Sequence, residues 1–85
     1  MIEFTLYSRS YCHLCEDMLR ALQSLVGDTA CIIETIDVDT DDELVARYDE
    51  LVPVLIGRHG GAAEELCHYF LDVEKVRAFL ACEAA

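Results

Sequence analysis

The most informative part of this chain is the segment Tyr7-Ser8-Arg9-Ser10-Tyr11-Cys12-His13-Leu14-Cys15. It joins a strand-like opening to a helical pattern, and its two cysteines stand three residues apart. Two cysteines at this spacing at the start of a helix can close a disulfide across one turn. Unpaired backbone N–H groups and the positive end of the helix dipole favour the thiolate of the first cysteine. Because the thiolate is the form that attacks disulfides, this segment predicts thiol–disulfide exchange.

The residues on either side of the cysteine pair show two different periodicities. Upstream, residues 2–7 alternate apolar and polar side chains and predict a short strand whose apolar face holds Ile2, Phe4 and Leu6. Downstream, apolar residues recur at helical spacing and predict a helix over residues 12–26. Ser10 is the expected N-cap of this helix, and Gly27 is well placed to end it.

The second half of the chain continues the alternation of strands and helices. The predicted elements are a strand over residues 31–36, a short helix begun by Thr40 and Glu43 at capping-box spacing, a strand over 51–56, a turn over 57–63, a strand over 65–71 and a last helix capped by Asp72. The order β-α-β-α-β-β-α predicts an α/β fold with a four-stranded mixed sheet flanked by helices. We expect residues 1–85 to form one domain.

Composition narrows the class of protein. The chain has 85 residues, 54% of them hydrophobic, which favours compact packing over disorder. Its 17 acidic and 6 basic residues give a net charge of -11, so a nucleic-acid partner is not expected. No apolar run approaches the roughly 20 residues that span a membrane, and the start of the chain shows no signal peptide. The expected location is therefore the cytoplasm, without membrane association.

Five cysteines occur in the chain: Cys12, Cys15, Cys31, Cys67 and Cys82. An odd number without a secretion signal argues against a framework of structural disulfides. A close pair in a reducing compartment is more often catalytic or metal-binding. A structural zinc site needs about four ligands, and only Cys67 and His68 are available to complete one. Cys67 and His68 are neighbours in a predicted strand and point to opposite faces, so they cannot readily bind the same metal ion, and no metal site is predicted.

The Cys-x-x-Cys at the first strand–helix junction and the segment Leu51-Val52-Pro53-Val54-Leu55 together resemble the thioredoxin fold. Within that fold the chain looks like a small glutaredoxin-like protein. The resemblance extends from about residue 2 to residue 80. It implies a dithiol–disulfide oxidoreductase that binds no organic cofactor and can take glutathione as a co-substrate.

The resemblance also implies roles for individual residues. Cys12 resembles the attacking thiol of the family, and Cys15 resembles its resolving thiol. Arg9 stands where glutaredoxins commonly have a basic residue that contacts the glutathione carboxylate. Pro53 resembles the family's cis-proline, and the backbone of Val52 would pair with a bound peptide or with glutathione.

The motif departs from the glutaredoxin pattern between its cysteines, where His13 and Leu14 replace the usual proline and aromatic residue. His13 is either an exposed turn residue or a cation that stabilises the Cys12 thiolate when protonated. Tyr11 is expected to pack beside the motif and shield the thiol. The pair Gly60-Gly61 is interpreted as a hairpin turn, so it does not match the glycine pair of the family's glutathione site.

The expected partners are a disulfide-containing protein or a glutathione mixed disulfide, with glutathione or a thioredoxin-reductase system as electron donor. We expect the protein to act as a monomer. Two alternatives stay open at this point. One is a carrier of metal or of an iron–sulfur cluster held through the first cysteine, as in some glutaredoxin relatives. The other is a redox-inactive module that docks a partner in the groove beside Pro53.

Overall fold

The computed structural model describes residues 2–10 and 12–84, with side chains to residue 81. The elements are β1 (Ile2–Ser8), α1 (His13–Val26), β2 (Cys31–Asp37), a single 3-10 turn (Val38–Thr40), α2 (Asp42–Tyr48), β3 (Val54–His59), β4 (Ala62–His68) and α3 (Val73–Ala84). This sequence of elements confirms the predicted β-α-β-α-β-β-α order. Among the described residues, no helix combines the length and the apolar character needed to cross a membrane.

The four strands form one mixed sheet in the order β2-β1-β3-β4. Strand β1 runs parallel to β2 and antiparallel to β3, and β3 pairs antiparallel with β4. Near one edge of the sheet Ser8 pairs with Asp37, Tyr7 pairs with Val54, and Val54 pairs with His68. The end of β1 therefore lies beside the start of β3, and the cysteine motif follows β1 at this edge.

The main core lies between one face of the sheet and the two long helices. Ile2, Phe4 and Leu6, predicted to share a face of β1, are all buried there. Leu22 of α1 is fully buried, and the ring of Phe4 lies 5.6 Å from that of Phe79 in α3. The buried members of this core are Ile2, Phe4, Leu6, Met18, Leu22, Val26, Leu55, Leu66, Cys67, Val76 and Phe79. This packing anchors α1, and with it the cysteine pair, against β1.

Two predicted helix caps are wrong. Ser10 does not cap α1, because the helix begins at His13 and its N-cap is Cys12. The capping box of Thr40 is also absent. The carboxylate of Asp41 accepts the N–H of Glu43 at 2.8 Å, and the hydroxyl of Thr40 instead donates to the carbonyl of Asp37 at 2.7 Å. In both places a residue closer to the first helical turn takes the N-cap position.

Both strands of the hairpin lie three residues closer to the turn than predicted. Strand β3 begins at Val54 and not at residue 51, because residues 51–53 form the loop that leads into it. Its partner β4 correspondingly begins at Ala62 and ends at His68. The predicted turn is confirmed but shorter. Gly60 and Gly61 alone connect the strands, with φ angles of 55° and 84°, which suit a two-residue turn with both φ angles positive.

Candidate active site

The cysteine pair lies at the start of α1 and is closed as a disulfide. The Cys12 and Cys15 Cα atoms are 5.2 Å apart, within the usual range for bonded cysteines. The two residues differ in exposure. Cys12 is half-buried, whereas Cys15 is only 5% exposed because the first turn of α1 directs it inward. A reacting group from solvent therefore reaches Cys12 before Cys15.

Cys12 is also the N-cap of the helix that carries its partner. The backbone of Cys12 is extended, with φ -105° and ψ 106°, and its Sγ accepts the N–H of Cys15 at 3.2 Å. Its carbonyl accepts the N–H of Glu16 at 3.2 Å, which opens the helical hydrogen bonding. The Cys12 sulfur thus lies at the positive end of the helix dipole, where a negative charge is stabilised. The carboxylate of Glu16 in the first turn opposes that effect.

A cleft of about 230 Å³ opens beside the disulfide. Strands β1 and β2, the loop that follows β1 and the first turns of α1 all contribute to it. Its lining residues are Leu6, Ser8, Arg9, Ser10, Cys12, Cys15, Glu16, Leu19 and Thr35. Both sulfur-bearing residues and Arg9 therefore border the same open space.

Arg9 is held by two carboxylates from the segment that follows β2. Its Nε donates to Asp39 Oδ2 at 3.1 Å, and its Nη2 lies 3.1 Å from Asp39 Oδ1. The same Nη2 also donates to Asp49 Oδ1. These hydrogen bonds, with Asp49 the larger contributor and Asp39 the second, raise the pKa of Arg9 above its usual value. The predicted carboxylate-binding cation is thus already paired with carboxylates of its own chain.

The adjoining residue, Ser10, ties the same loop to β2. Its hydroxyl donates to Asp37 Oδ2 at 3.1 Å. The other carboxylate oxygen of Asp37 accepts the N–H of Asp39 at 2.9 Å. The loop that leads to Cys12 is therefore bound through Ser10 to Asp37 at the end of β2 and through Arg9 to Asp39 in the turn that follows.

The Val52–Pro53 peptide bond is cis. Pro53 is buried and directly precedes Val54, which pairs with Tyr7, so it lies at the sheet edge from which the motif emerges. The N–H of Val52 donates to the carbonyl of Tyr48 at 3.1 Å. A peptide strand that pairs with the Val52 N–H would therefore have to replace this hydrogen bond.

Tyr69 fixes the loop that contains Pro53. Its N–H donates to the carbonyl of Pro53 at 2.9 Å, and its hydroxyl donates to the carbonyl of Glu50 at 2.7 Å. The residue has a φ of 65°, a conformation that is uncommon for a side chain of this size. Sequence reasoning missed this role, because Tyr69 falls within the predicted fourth strand, and no local pattern signals a left-handed residue there.

The residues between the cysteines face solvent. His13 is exposed, and Leu14 is 38% exposed. Leu14 borders a shallow apolar groove together with Met18 of α1 and with Tyr69 and Phe70 from the loop after β4. Phe70 is 70% exposed, the most exposed large hydrophobic residue among those described. Tyr11, predicted to shield the thiol, lies outside the described residues.

The other cysteines occupy different surroundings. Cys67 lies in the core at 8% exposure, and burial raises the pKa of its thiol. Cys31 is half-buried at the start of β2, and both are free thiols. The side chain of Cys82 lies outside the described part of the chain. Among the side chains described, no three of His, Cys, Asp or Glu lie close enough together to hold a metal ion.

Comparisons with known proteins agree with this architecture. The solution NMR structure of protein Ne2328 from Nitrosomonas europaea is 36% identical, with a TM-score of 0.79 over 92% of this chain and 89% of that one. The X-ray structure of target protein XcR50 from X. campestris is 30% identical, with a TM-score of 0.60 over 93% and 96%. A mutant thioredoxin from Halobacterium salinarum, 20% identical, has a TM-score of 0.71 over 95% and 73%.

The thioredoxin likeness shows the fold, which confirms the predicted thioredoxin-like architecture. No curated protein matches the chain. Residues 3–81 match the family described as Glutaredoxin-like domain (DUF836), which covers nearly the whole sequence. The chain therefore belongs to the glutaredoxin-like domain family DUF836 and has a thioredoxin-like fold.

Proposed function

We propose that this protein is a dithiol–disulfide oxidoreductase, with Cys12 as the attacking thiol and Cys15 as the resolving thiol. The observation that carries the proposal is the asymmetric pair at the start of α1. Cys12 borders an open cleft at a helix N-terminus, and Cys15 lies one turn inward at bonding distance. A reactive thiolate needs exposure and a positive surrounding potential, and a resolving thiol needs only to reach the first sulfur.

The reaction proceeds in two exchanges. The Cys12 thiolate attacks one sulfur of a substrate disulfide, the substrate S–S bond breaks, and the first substrate thiolate leaves and takes a proton from water. Cys15 then loses its proton and attacks the Cys12 sulfur of the mixed disulfide. The second substrate thiolate leaves, and the Cys12–Cys15 disulfide remains. Two electrons have passed from the protein to the substrate, and the described structure corresponds to this oxidised state.

Return to the dithiol requires an external thiol. Glutathione or a thioredoxin-reductase system would attack Cys12 and reverse the two exchanges. The proposed substrates are protein disulfides or glutathione mixed disulfides. We place this chemistry in the cytoplasm, with the protein acting as a monomer.

The proposed substrate contacts lie at the sheet edge around the pair. The backbone of Val52, in the loop beside Pro53 that leads into β3, would pair with an extended peptide, which would replace the hydrogen bond from the Val52 N–H to Tyr48. Tyr11 and His13 flank Cys12 in sequence, and we expect both to contact a substrate bound to that sulfur. Protonated His13 would favour the Cys12 thiolate.

The proposal is tested by adding the protein in catalytic amount to a disulfide-containing protein such as insulin, with excess dithiothreitol as the reductant, and by following the precipitation of reduced insulin above the rate without the protein. We expect Cys12→Ser to abolish turnover. In the absence of excess reductant, we expect Cys15→Ser to accumulate a mixed disulfide on Cys12, visible by mass spectrometry as a covalent adduct of the protein with the substrate that dithiothreitol removes. Cys31→Ser, which removes a thiol outside the motif, is the matched control and should retain turnover. Equal turnover in the wild type and Cys12→Ser would overturn the proposal.

A further inference from the structure

The charge beside the proposed site is set by one arginine and two aspartates. The guanidinium of Arg9 borders the same cleft as Cys12 and Cys15. Asp39 binds it through both carboxylate oxygens at 3.1 Å, and Asp49 binds its Nη2. Two negative charges therefore meet one positive charge, and this cluster has an excess of one negative charge.

Two further carboxylates border the site, and one of them, Glu16, has the guanidinium of Arg20 at 4.0 Å. Asp37 accepts the hydroxyl proton of Ser10 in the same loop, and Glu16 lines the cleft from the first turn of α1. Arg9 is 32% exposed, whereas the aspartates that bind it are 50% and 51% exposed. An approaching substrate thus meets the carboxylates at least as readily as it meets the cation.

We propose that Asp39 and Asp49 are specificity-determining residues of the dithiol site: by binding Arg9 they withhold it from anionic ligands, and the site selects disulfides that are flanked by basic side chains on a protein. Anionic small disulfides, glutathione disulfide among them, are poor substrates by the same argument. The inference rests on the proposed function and narrows its substrate class.

The selection acts on the encounter that precedes the exchange of sulfur atoms. The covalent step is the one written above, in which the Cys12–substrate S–S bond forms, the substrate S–S bond breaks and the leaving thiolate is protonated. A local potential changes how often a charged disulfide reaches Cys12, and electrostatic steering alters association rates by about 10- to 1000-fold. Salt screens this effect, with a Debye length of about 3 Å at 1 M.

The test compares three small disulfides: cystamine, which is cationic, bis(2-hydroxyethyl) disulfide, which is neutral, and glutathione disulfide, which is anionic. The rate at which each oxidises the reduced full-length protein is divided by its rate with dithiothreitol, which removes differences in leaving group. At low salt we expect the normalised cystamine rate to exceed the glutathione disulfide rate by about tenfold or more. At about 1 M salt the ratio should fall towards one, while the neutral disulfide stays unchanged.

Variants separate the two aspartates from the overall charge. The double variant Asp39→Asn and Asp49→Asn removes two negative charges and frees Arg9, and it should raise the glutathione disulfide rate at low salt by about tenfold. The control is the double variant Asp28→Asn and Glu64→Gln. It makes the same change of charge at exposed positions after α1 and in β4, away from the cleft. It should shift the rate much less.

The outcomes are distinct. Equal normalised rates for the three disulfides, with no salt dependence, would overturn the selectivity and leave the proposed dithiol function intact. An equal shift in the control variant would assign the effect to net charge and overturn the role of Asp39 and Asp49. Failure of all three disulfides to oxidise the reduced wild-type protein would overturn the proposed function, and this inference with it. If the double variant does not fold, the single variants Asp39→Asn and Asp49→Asn, each compared with Asp28→Asn, test the role of the aspartates, and the salt dependence of the wild type tests the selectivity.

Discussion

The backbone N–H of Cys15 donates a hydrogen bond to the sulfur of Cys12 at 3.2 Å, so Cys12 caps the helix that carries its partner. One residue therefore has two roles. It satisfies an N–H group that the first turn of a helix otherwise leaves unpaired, and it presents its sulfur at the positive end of the helix dipole. The stability of α1 and the chemistry of the pair are thereby linked through one side chain.

This double role predicts a difference between two substitutions that both remove the disulfide. Serine is a favoured N-cap and alanine is not, so Cys12→Ala should lower the free energy of unfolding by about 1 kcal/mol relative to Cys12→Ser. Urea denaturation of the two variants under reducing conditions, followed by circular dichroism, measures the difference. Identical denaturation midpoints and slopes would show that the capping hydrogen bond does not stabilise the helix.

The unequal exposure of the pair predicts unequal reactivity in the reduced protein. Cys12 borders the cleft and receives the helix N–H, whereas Cys15 is 5% exposed. We expect iodoacetamide, a neutral reagent, to alkylate Cys12 about tenfold faster than Cys15 or more. Timed quenching and peptide mass spectrometry give both rates in one experiment. Alkylation of Cys15 before Cys12 would reverse the assigned roles.

Burial of Cys67 predicts a pH dependence of stability. Because burial raises the pKa of this thiol, the folded protein holds the proton more tightly than the unfolded protein does. The resulting stabilisation is complete below the ordinary thiol pKa, about 8.5, and is lost as the pH rises through the folded-state pKa. The free energy of unfolding should therefore fall more steeply with pH above about 8.5 in the wild type than in Cys67→Ala.

Two control measurements accompany this prediction: the alkylation of Cys67 and the disulfide exchange of the Cys67→Ala variant. Native Cys67 should resist iodoacetamide near neutral pH and react once urea unfolds the protein, and Cys67→Ala should retain disulfide exchange. Parallel stability curves for the wild type and Cys67→Ala across this pH range would contradict the account.

Gly57 lies where the core leaves no room for a side chain, so a larger residue at this position should destabilise the protein. A Cβ atom at this position would lie 2.8 Å from Cζ of Phe79 and 2.9 Å from Cδ1 of Leu66, closer than van der Waals contact permits. Gly57→Ala should therefore lower the free energy of unfolding by about 1–3 kcal/mol. A double-mutant cycle with Phe79→Leu tests the cause, since leucine is smaller than phenylalanine and should reduce the cost of the added methyl group. Additive effects in that cycle would place the cost elsewhere.

Most of the element order follows from local signals in the sequence. The change of period at Cys12 marks α1, and Gly27 ends it with a φ of 52° and an N–H bonded to the carbonyl of Gln23. Gly60-Gly61 marks the hairpin for the same reason, since positive φ angles suit glycine. These signals are local, and the observed bounds of the elements lie within a few residues of the predicted ones.

The bounds of the hairpin and the partners of Arg9 depend on distant contacts. The apolar run over residues 51–56 includes a loop, because apolar residues suit a partly buried loop and a strand equally well. Arg9 meets Asp39 and Asp49 across 30 and 40 residues of sequence. Asp37 and Asp41 accept N–H groups two residues ahead, a local pattern, whereas no local pattern shows that Asp39 and Asp49 bind the arginine before the cysteine pair.

Redox titration in glutathione buffers, with mass spectrometry of the alkylated protein at each potential, measures whether Cys12 and Cys15 form a reversible dithiol–disulfide couple. We expect one two-electron transition for the pair. That transition persists in Cys31→Ser and is lost in Cys15→Ser, which instead retains glutathione on Cys12. A wild-type protein that shows no transition, or only a stable glutathione adduct on Cys12, would contradict this expectation.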